Sequence, residues 1–202
     1  LKVIGEPILE IFGNSNPTME EDKGPLEIPF TVSGAEGGCF SISVVSSNDN
    51  LVPEDVNNLS IDGFGTTYQP CLPSGQNSQD FKLIVTPPEN ANGETMLTVA
   101  VEQGSQRVEK IFYLVVKSVN DNPTISAIFD ETTDENIPVD VTFVVADVET
   151  PVNDLHITVE STDTNLIPES NMVLTGTGDI RTLKITPAPD KMGDALITVT
   201  VD

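Results

Sequence analysis

Apolar and polar residues alternate at every second position through a series of short segments rich in Val, Ile, Thr and Phe. The clearest segments are residues 26–32, 40–45, 81–85, 96–101, 110–116, 139–145, 155–159, 183–186 and 195–201. A period of two sends one set of side chains into a core and the other into solvent, which is the signature of a half-buried strand. Gly, Pro, Asn and Asp punctuate the segments. No window of ten or more residues carries an apolar helical stripe, and the 15 Pro and 14 Gly would interrupt one. The number and spacing of the segments predict an all-β chain built as Greek-key sandwiches.

The chain repeats itself. Residues 86–102 align without a gap with 186–202, residues 25–32 match 138–145, and residues 50–54 match 165–169. Three blocks in one order define two tandem copies. Val119-Asn120-Asp121-Asn122-Pro123 precedes the second copy as Val3-Ile4-Gly5-Glu6-Pro7 precedes the first, so the domains are read as 1–119 and 120–202. With strands lettered A to G, copy one has A near 8–12, B from 26, C from 40, E from 81, F from 96 and G from 110. The pattern does not place D. Copy two repeats this order from Thr124 and reaches Asp202 directly after F, so the second sandwich is expected to lack its last strand. That leaves a sheet edge unpaired, to be filled either by a longer array or by another chain. Copy one also has an insertion, about 64–80, with Tyr68, Pro70, Cys71, Pro73 and Gly75, where copy two has only Gly176-Thr177-Gly178-Asp179. The insertion reads as a binding loop or as plain surface decoration.

Charge narrows the partners. The 9 Lys and Arg stand against 32 Asp and Glu, giving a net charge of −23 that opposes nucleic acid and anionic membrane surfaces. Both copies are acidic: 6 basic against 16 acidic residues up to Val119, then 3 against 16. No stretch of 18 apolar residues and no basic-then-apolar leader occurs, so no membrane insertion is expected and any export signal lies upstream. The two cysteines, Cys39 and Cys71, lack metal-site spacing; a disulfide between them would pin the insertion to strand C in an oxidising compartment.

Catalysis finds no support. His156, the only histidine, has no nucleophile motif near it, and no phosphate-binding glycine loop or zinc motif is present. Asn58-Leu59-Ser60 is a sequon, which makes Asn58 a possible glycosylation position.

The chemistry lies in the carboxylates. In a sandwich of this topology the A-B and E-F turns stand at the pole of the outgoing linker, and the B-C and F-G turns at the opposite pole. Glu20, Glu21 and Asp22 in the A-B turn of copy one, Glu89 in its E-F turn, Asp147 and Glu149 in the B-C turn of copy two and Asp202 at its F-G turn are therefore expected to face the linker. The linker adds Asn120, Asp121 and Asn122. Calcium takes six to eight hard oxygen ligands of this kind, so calcium is the expected cofactor. Glu6, Glu36 and Glu102 are scattered by comparison, and weak or no binding is expected at the other end of copy one.

These residues carry a resemblance. The linker is similar to the Asn-Asp-Asn linker of cadherins, and Asp147-Val148-Glu149 resembles their Asp-X-Asp turn. The resemblance implies calcium bound between repeats by Asp121 and its Asn neighbours, Glu21 or a neighbour, Glu89, Asp147 with Glu149, and Asp202. Ser118 stands where the first linker Asp would be and no Leu-Asp-Arg-Glu motif occurs, so one or two ions per junction are expected. Over nearly its whole length the chain resembles the cadherin-like and immunoglobulin-like repeats of large bacterial surface proteins. The implied function is a calcium-rigidified structural or adhesive repeat of an extracellular or cell-surface protein, not an enzyme. Its partners would be neighbouring repeats or subunits and an unknown surface ligand. The alternatives are a filament subunit joined by strand donation to the open edge of copy two, or an accessory module of a secreted enzyme; with no Trp and two Tyr, the latter lacks an aromatic platform.

Overall fold

The computed structural model describes residues 16–33 and 38–202 and the backbone of 8–11. Glu6 and Glu36 lie outside the described residues. The chain divides into two compact units, Leu1–Val119 and Asn120–Asp202.

Unit 1 contains β1 (Ile8–Ile11), β2 (Thr18–Glu20), β3 (Leu26–Ser33), β4 (Ser41–Ser46), β5 (Leu59–Ile61), β6 (Thr67–Tyr68), β7 (Ser78–Val85), β8 (Gly93–Gln103) and β9 (Gln106–Lys117). One sheet has the order β1-β3-β7-β5 and the other β2-β9-β8-β4-β6. In sandwich lettering these are A-B-E-D and A′-G-F-C with β6 added at the edge. Strand D, unplaced by the alternation, is the three-residue β5. The parallel pairing of β2 with β9 is the only exception to antiparallel neighbours among the described strands.

The period-two pattern decides what fills the interior. Ile28, Phe30 and Val32 of β3, Phe81, Leu83 and Val85 of β7, Leu97, Val99 and Val101 of β8 and Phe112, Leu114 and Val116 of β9 all point inward and are buried. Phe30 stacks on Phe81 with ring centroids 5.5 Å apart, and Phe40 meets Phe81 edge-on at 6.1 Å. Each such side chain contributes about 1.5–3 kcal/mol of hydrophobic stabilisation.

The insertion is not a free loop. Its segment β6 pairs with the edge of β4 in the register Ile42↔Tyr68 and Ser43↔Thr67, and Leu72 is buried in the core. Cys39 and Cys71 form a disulfide, flanked by hydrogen bonds from Phe40 N–H to Pro70 O (3.1 Å) and from Leu72 N–H to Gly38 O (3.0 Å). The last three residues assigned to the insertion, 78–80, belong to β7, because the polar end of that strand still pairs with Thr31, Val32 and Ser33.

Unit 2 contains β10 (Thr124–Ile125), β11 (Val139–Ala146), β12 (Ile157–Ser161), a 3-10 turn (Glu169–Asn171), β13 (Met172–Thr175), β14 (Ile180–Ile185) and β15 (Ile197–Val201). Its sheets are β10-β11-β14-β13 and the two-stranded β12-β15. The core is small: Phe143, Val145, Leu155 and Leu183, with partly buried residues such as Val159, Val199 and Val201 packed against it. Arg181 is buried beside this core, and its guanidinium donates to the carbonyls of Gly178 and Val152. The tight turn that replaces the insertion depends on Gly176, at φ 111°; a Cβ there would collide with the Ile180 carbonyl oxygen.

Both units repeat small polar devices. Asn58 Nδ2 donates to Thr86 O at 2.7 Å and Asn171 Nδ2 to Thr186 O at 3.0 Å. Asn90 N–H donates to Asp22 Oδ1 (3.1 Å), and Asp190 N–H to Asn136 Oδ1 (3.2 Å). All four residues of the second pair of contacts have positive φ, which Asn and Asp tolerate best among residues with a Cβ.

Candidate functional site

In unit 1, Glu21 organises the turns that pack around Val119. It follows β2 and is fully buried. Its Oε1 accepts the Val119 N–H at 2.8 Å, its Oε2 accepts Asn92 Nδ2 at 3.0 Å, and its own N–H donates to Lys117 O at 2.9 Å. Burial pushes its carboxyl upward and is the largest single influence. The combined hydrogen bonds from Asn92, Val119 and Ser118 outweigh it and leave the group below the usual carboxylate range. Glu21 thus fastens the segment after β9 to the A-B and E-F turns. The neighbouring acids differ: Glu20 is exposed at 3.9 Å from Lys23 Nζ, and Glu89 is exposed. Asn92 is a partner that acid-counting misses; its signal in the sequence is an Asn in the same turn as Glu89.

In unit 2, the linker and the B-C turn meet. Glu149 Oε2 accepts the Asp121 N–H at 3.0 Å, while Glu149 Oε1 is buried without a hydrogen-bond partner. Asp147 closes its own turn, its Oδ1 accepting the N–H groups of Thr150 (2.6 Å) and Glu149 (3.0 Å). The Thr150 N–H above all, with that of Glu149, holds the Asp147 carboxyl below its ordinary value against the opposing effect of burial. Asn120 donates to the Asp121 carbonyl at 2.7 Å; Asn120 and Asn122 are exposed. Asp202 is exposed, and its backbone pairs with His156.

Of the residues expected as calcium ligands, Asp147 and Glu149 share one turn of unit 2 with the backbone of Asp121, and within unit 1 Glu21 is held by Asn92 and the Val119 N–H. Among the described residues no three Asp, Glu, His or Cys side chains converge as a ready metal-ligand set. The feature that fits a cation is the Glu149 oxygen, since a buried carboxylate oxygen left without a donor is costly. Calcium bound there would supply fixed positive charge and hold the linker residue Asp121 to the B-C turn.

Three further positions lie outside these clusters. His156 is exposed and lies just before β12. Asn58 is half-buried, and its side-chain amide donates to Thr86 O. Phe64, 63% exposed, stacks on Tyr68 with centroids 4.4 Å apart.

A scan against protein families and a search of curated proteins each find no match. Among solved structures, the chain is similar to the titin domains Z1Z2 in complex with telethonin, at 14% identity over 99% of this chain and 96% of that one, with a TM-score of 0.39. It is similar to domains 4–9 of the surface layer protein SbsC at 18% identity over 98% of this chain and 29% of that one (TM-score 0.33). It is also similar to the apo-form Calx CBD1 domain at 13% identity over 57% of this chain and all of that one (TM-score 0.37). The strand orders define the fold class: an all-β chain of immunoglobulin-like β-sandwich units.

Proposed function

We propose that the chain is a tandem structural or adhesive segment of a large extracellular surface protein, rigidified by calcium at the corner formed by Asp121, Asp147 and Glu149. The observation that carries the reading is the Glu149 carboxylate, with one oxygen on the Asp121 N–H and the other buried without a donor. Calcium satisfies such an oxygen and completes its shell with backbone carbonyls and water. The acidic excess supports the reading, because 9 basic side chains leave most of the 32 carboxylates without an internal counter-ion. So does the Cys39–Cys71 disulfide, which persists in oxidising surroundings. No step in the reading requires bond-making chemistry: the sandwiches supply a stable spacer and the insertion of unit 1 a surface on which a ligand is presented.

The test is scanning calorimetry of the full chain in calcium and in chelator. A ligand that binds only the folded state raises the unfolding midpoint by mass action. Calcium is expected to raise the midpoint of unit 2. Identical traces, with no metal retained on elemental analysis, would remove calcium from the function.

A further inference from the structure

The two outer faces of unit 1 are dressed differently. On the outer side of β3 and β7 the period-two pattern holds: Lys82 pairs with Glu27 at 2.6 Å, and Thr31 donates to Asp80 Oδ1 at 2.7 Å. On the outer side of β4, β8 and β9 it fails. Val45, Met96, Ile111 and Tyr113 stand at polar positions of the alternation and are between 40% and 57% exposed. The register makes them neighbours: Tyr113 lies opposite Met96, Ile111 opposite Thr98, and Thr98 opposite Val45. Side chains directly opposite on one face are within contact range, so the four form one apolar patch around Thr98. None serves the core, whose inward positions on the same strands are filled by Val44, Leu97, Val99, Phe112 and Leu114. A contiguous exposed patch ringed by charge marks an interaction surface.

The surrounding charges say what the patch faces. On this side β8 and β9 carry two basic side chains, Arg107 and Lys117, against three acidic ones, Glu94, Glu102 and Glu109, a net of −1 in a chain of −23. Two such acidic chains repel over most of their surface, and here the repulsion is small. The ends of the patch also complement each other. At one end Arg107 is shared by Glu102 and Glu109, which leaves one carboxylate in surplus. At the other, Lys117 is exposed and takes part in no ion pair among the described residues.

We infer that the outer face of β4-β8-β9 is the contact through which two copies of this chain associate, sheet against sheet about a two-fold axis that crosses the strands. Such an axis lays β9 of one copy, reversed, over β9 of the other. Ile111 then meets Tyr113 of the second copy and Thr98 meets its Met96. Lys117 comes to the end where the second copy's Arg107, Glu102 and Glu109 hold the surplus carboxylate. Both halves of the contact are the same surface, so it closes at two copies and does not grow. Four half-exposed side chains make a small interface, of the transient class. Calcium takes no part in it.

The experiment is sedimentation velocity of the full chain in chelator and physiological salt, which screens the long-range repulsion, at concentrations up to about 1 mM. Wild type is expected to pass from monomer to dimer as concentration rises. The double variant Ile111→Thr, Tyr113→Thr removes apolar area, keeps the charge and suits a strand. It is expected to weaken the dimer by about tenfold or more and to leave the unfolding midpoint of unit 1 in place. In a second measurement, a short bismaleimide is expected to link copies of Thr98→Cys and not of Thr31→Cys, a position equally half-buried on the polar outer face. A monomer at every concentration, undiminished association of the double variant, open-ended growth, or equal linking of the two cysteine variants would each overturn the inference.

Discussion

Glu21 shows how much one buried carboxylate does. Substitution by Gln keeps its size but turns an acceptor oxygen into a donor amide facing the Val119 N–H or Asn92. Leaving a buried donor unmatched costs about 1–3 kcal/mol, so Glu21→Gln is expected to lower the urea midpoint of unit 1 at pH 7. The pH dependence has a definite sign. The Glu21 carboxyl is depressed in the folded state, so its stabilising contribution is present above the unfolded value of about 4.3 and is lost as pH falls through the lower folded value. The gap between wild type and Glu21→Gln should therefore narrow on acidification, and an equal urea midpoint for both at pH 7 would contradict the role. At this scale the sequence is half legible. The A-B turn, the E-F turn and the linker all stand out as acid- and Asn-rich. Which acid is buried does not, because Glu20, Glu21 and Asp22 read alike until the end of β9 brings the Val119 N–H to one of them.

At the scale of elements, alternation places most strands, since a period of two has one solution when one face must be buried. It fails for β5, whose three residues are all buried and so show no alternation. It also overshoots at 195–201, where the strand of unit 2 begins two residues later, at Ile197. The insertion is tied into the sheet through the expected disulfide and through β6, which the alternation did not show. The bridge closes a loop spanning 32 residues, and such cross-links typically stabilise by about 2–4 kcal/mol. The double variant Cys39→Ala, Cys71→Ala is expected to lower the calorimetric midpoint of unit 1 and to speed proteolysis within 64–77, while leaving unit 2's transition in place. An unaltered unit 1 midpoint would mean that β6 and the buried Leu72 hold the insertion without the bridge.

At the scale of the molecule, two copies of one sequence pattern give one well-filled sandwich and one thinly filled one. Unit 1 buries residues such as Phe112, Leu114 and Val116 from β9; the described core of unit 2 is Phe143, Val145, Leu155 and Leu183 with partly buried neighbours. Repeat length and order were readable because matched blocks recur in sequence. The calcium corner was readable only in part: charge counting marks Asp121, Asp147 and Glu149 as candidates, but not the hydrogen bond from the Asp121 N–H to Glu149 that ties two of them together. That grouping is most directly tested by isothermal titration of calcium into the full chain, run on wild type, Glu149→Gln and Asp147→Asn, with the exposed Glu27→Gln as a control in unit 1. Expected is saturable binding by wild type and Glu27→Gln, weakened about tenfold or more in the other two because each loses a charged ligand. A flat titration for wild type, or equal affinity in all four proteins, would contradict calcium binding at this corner.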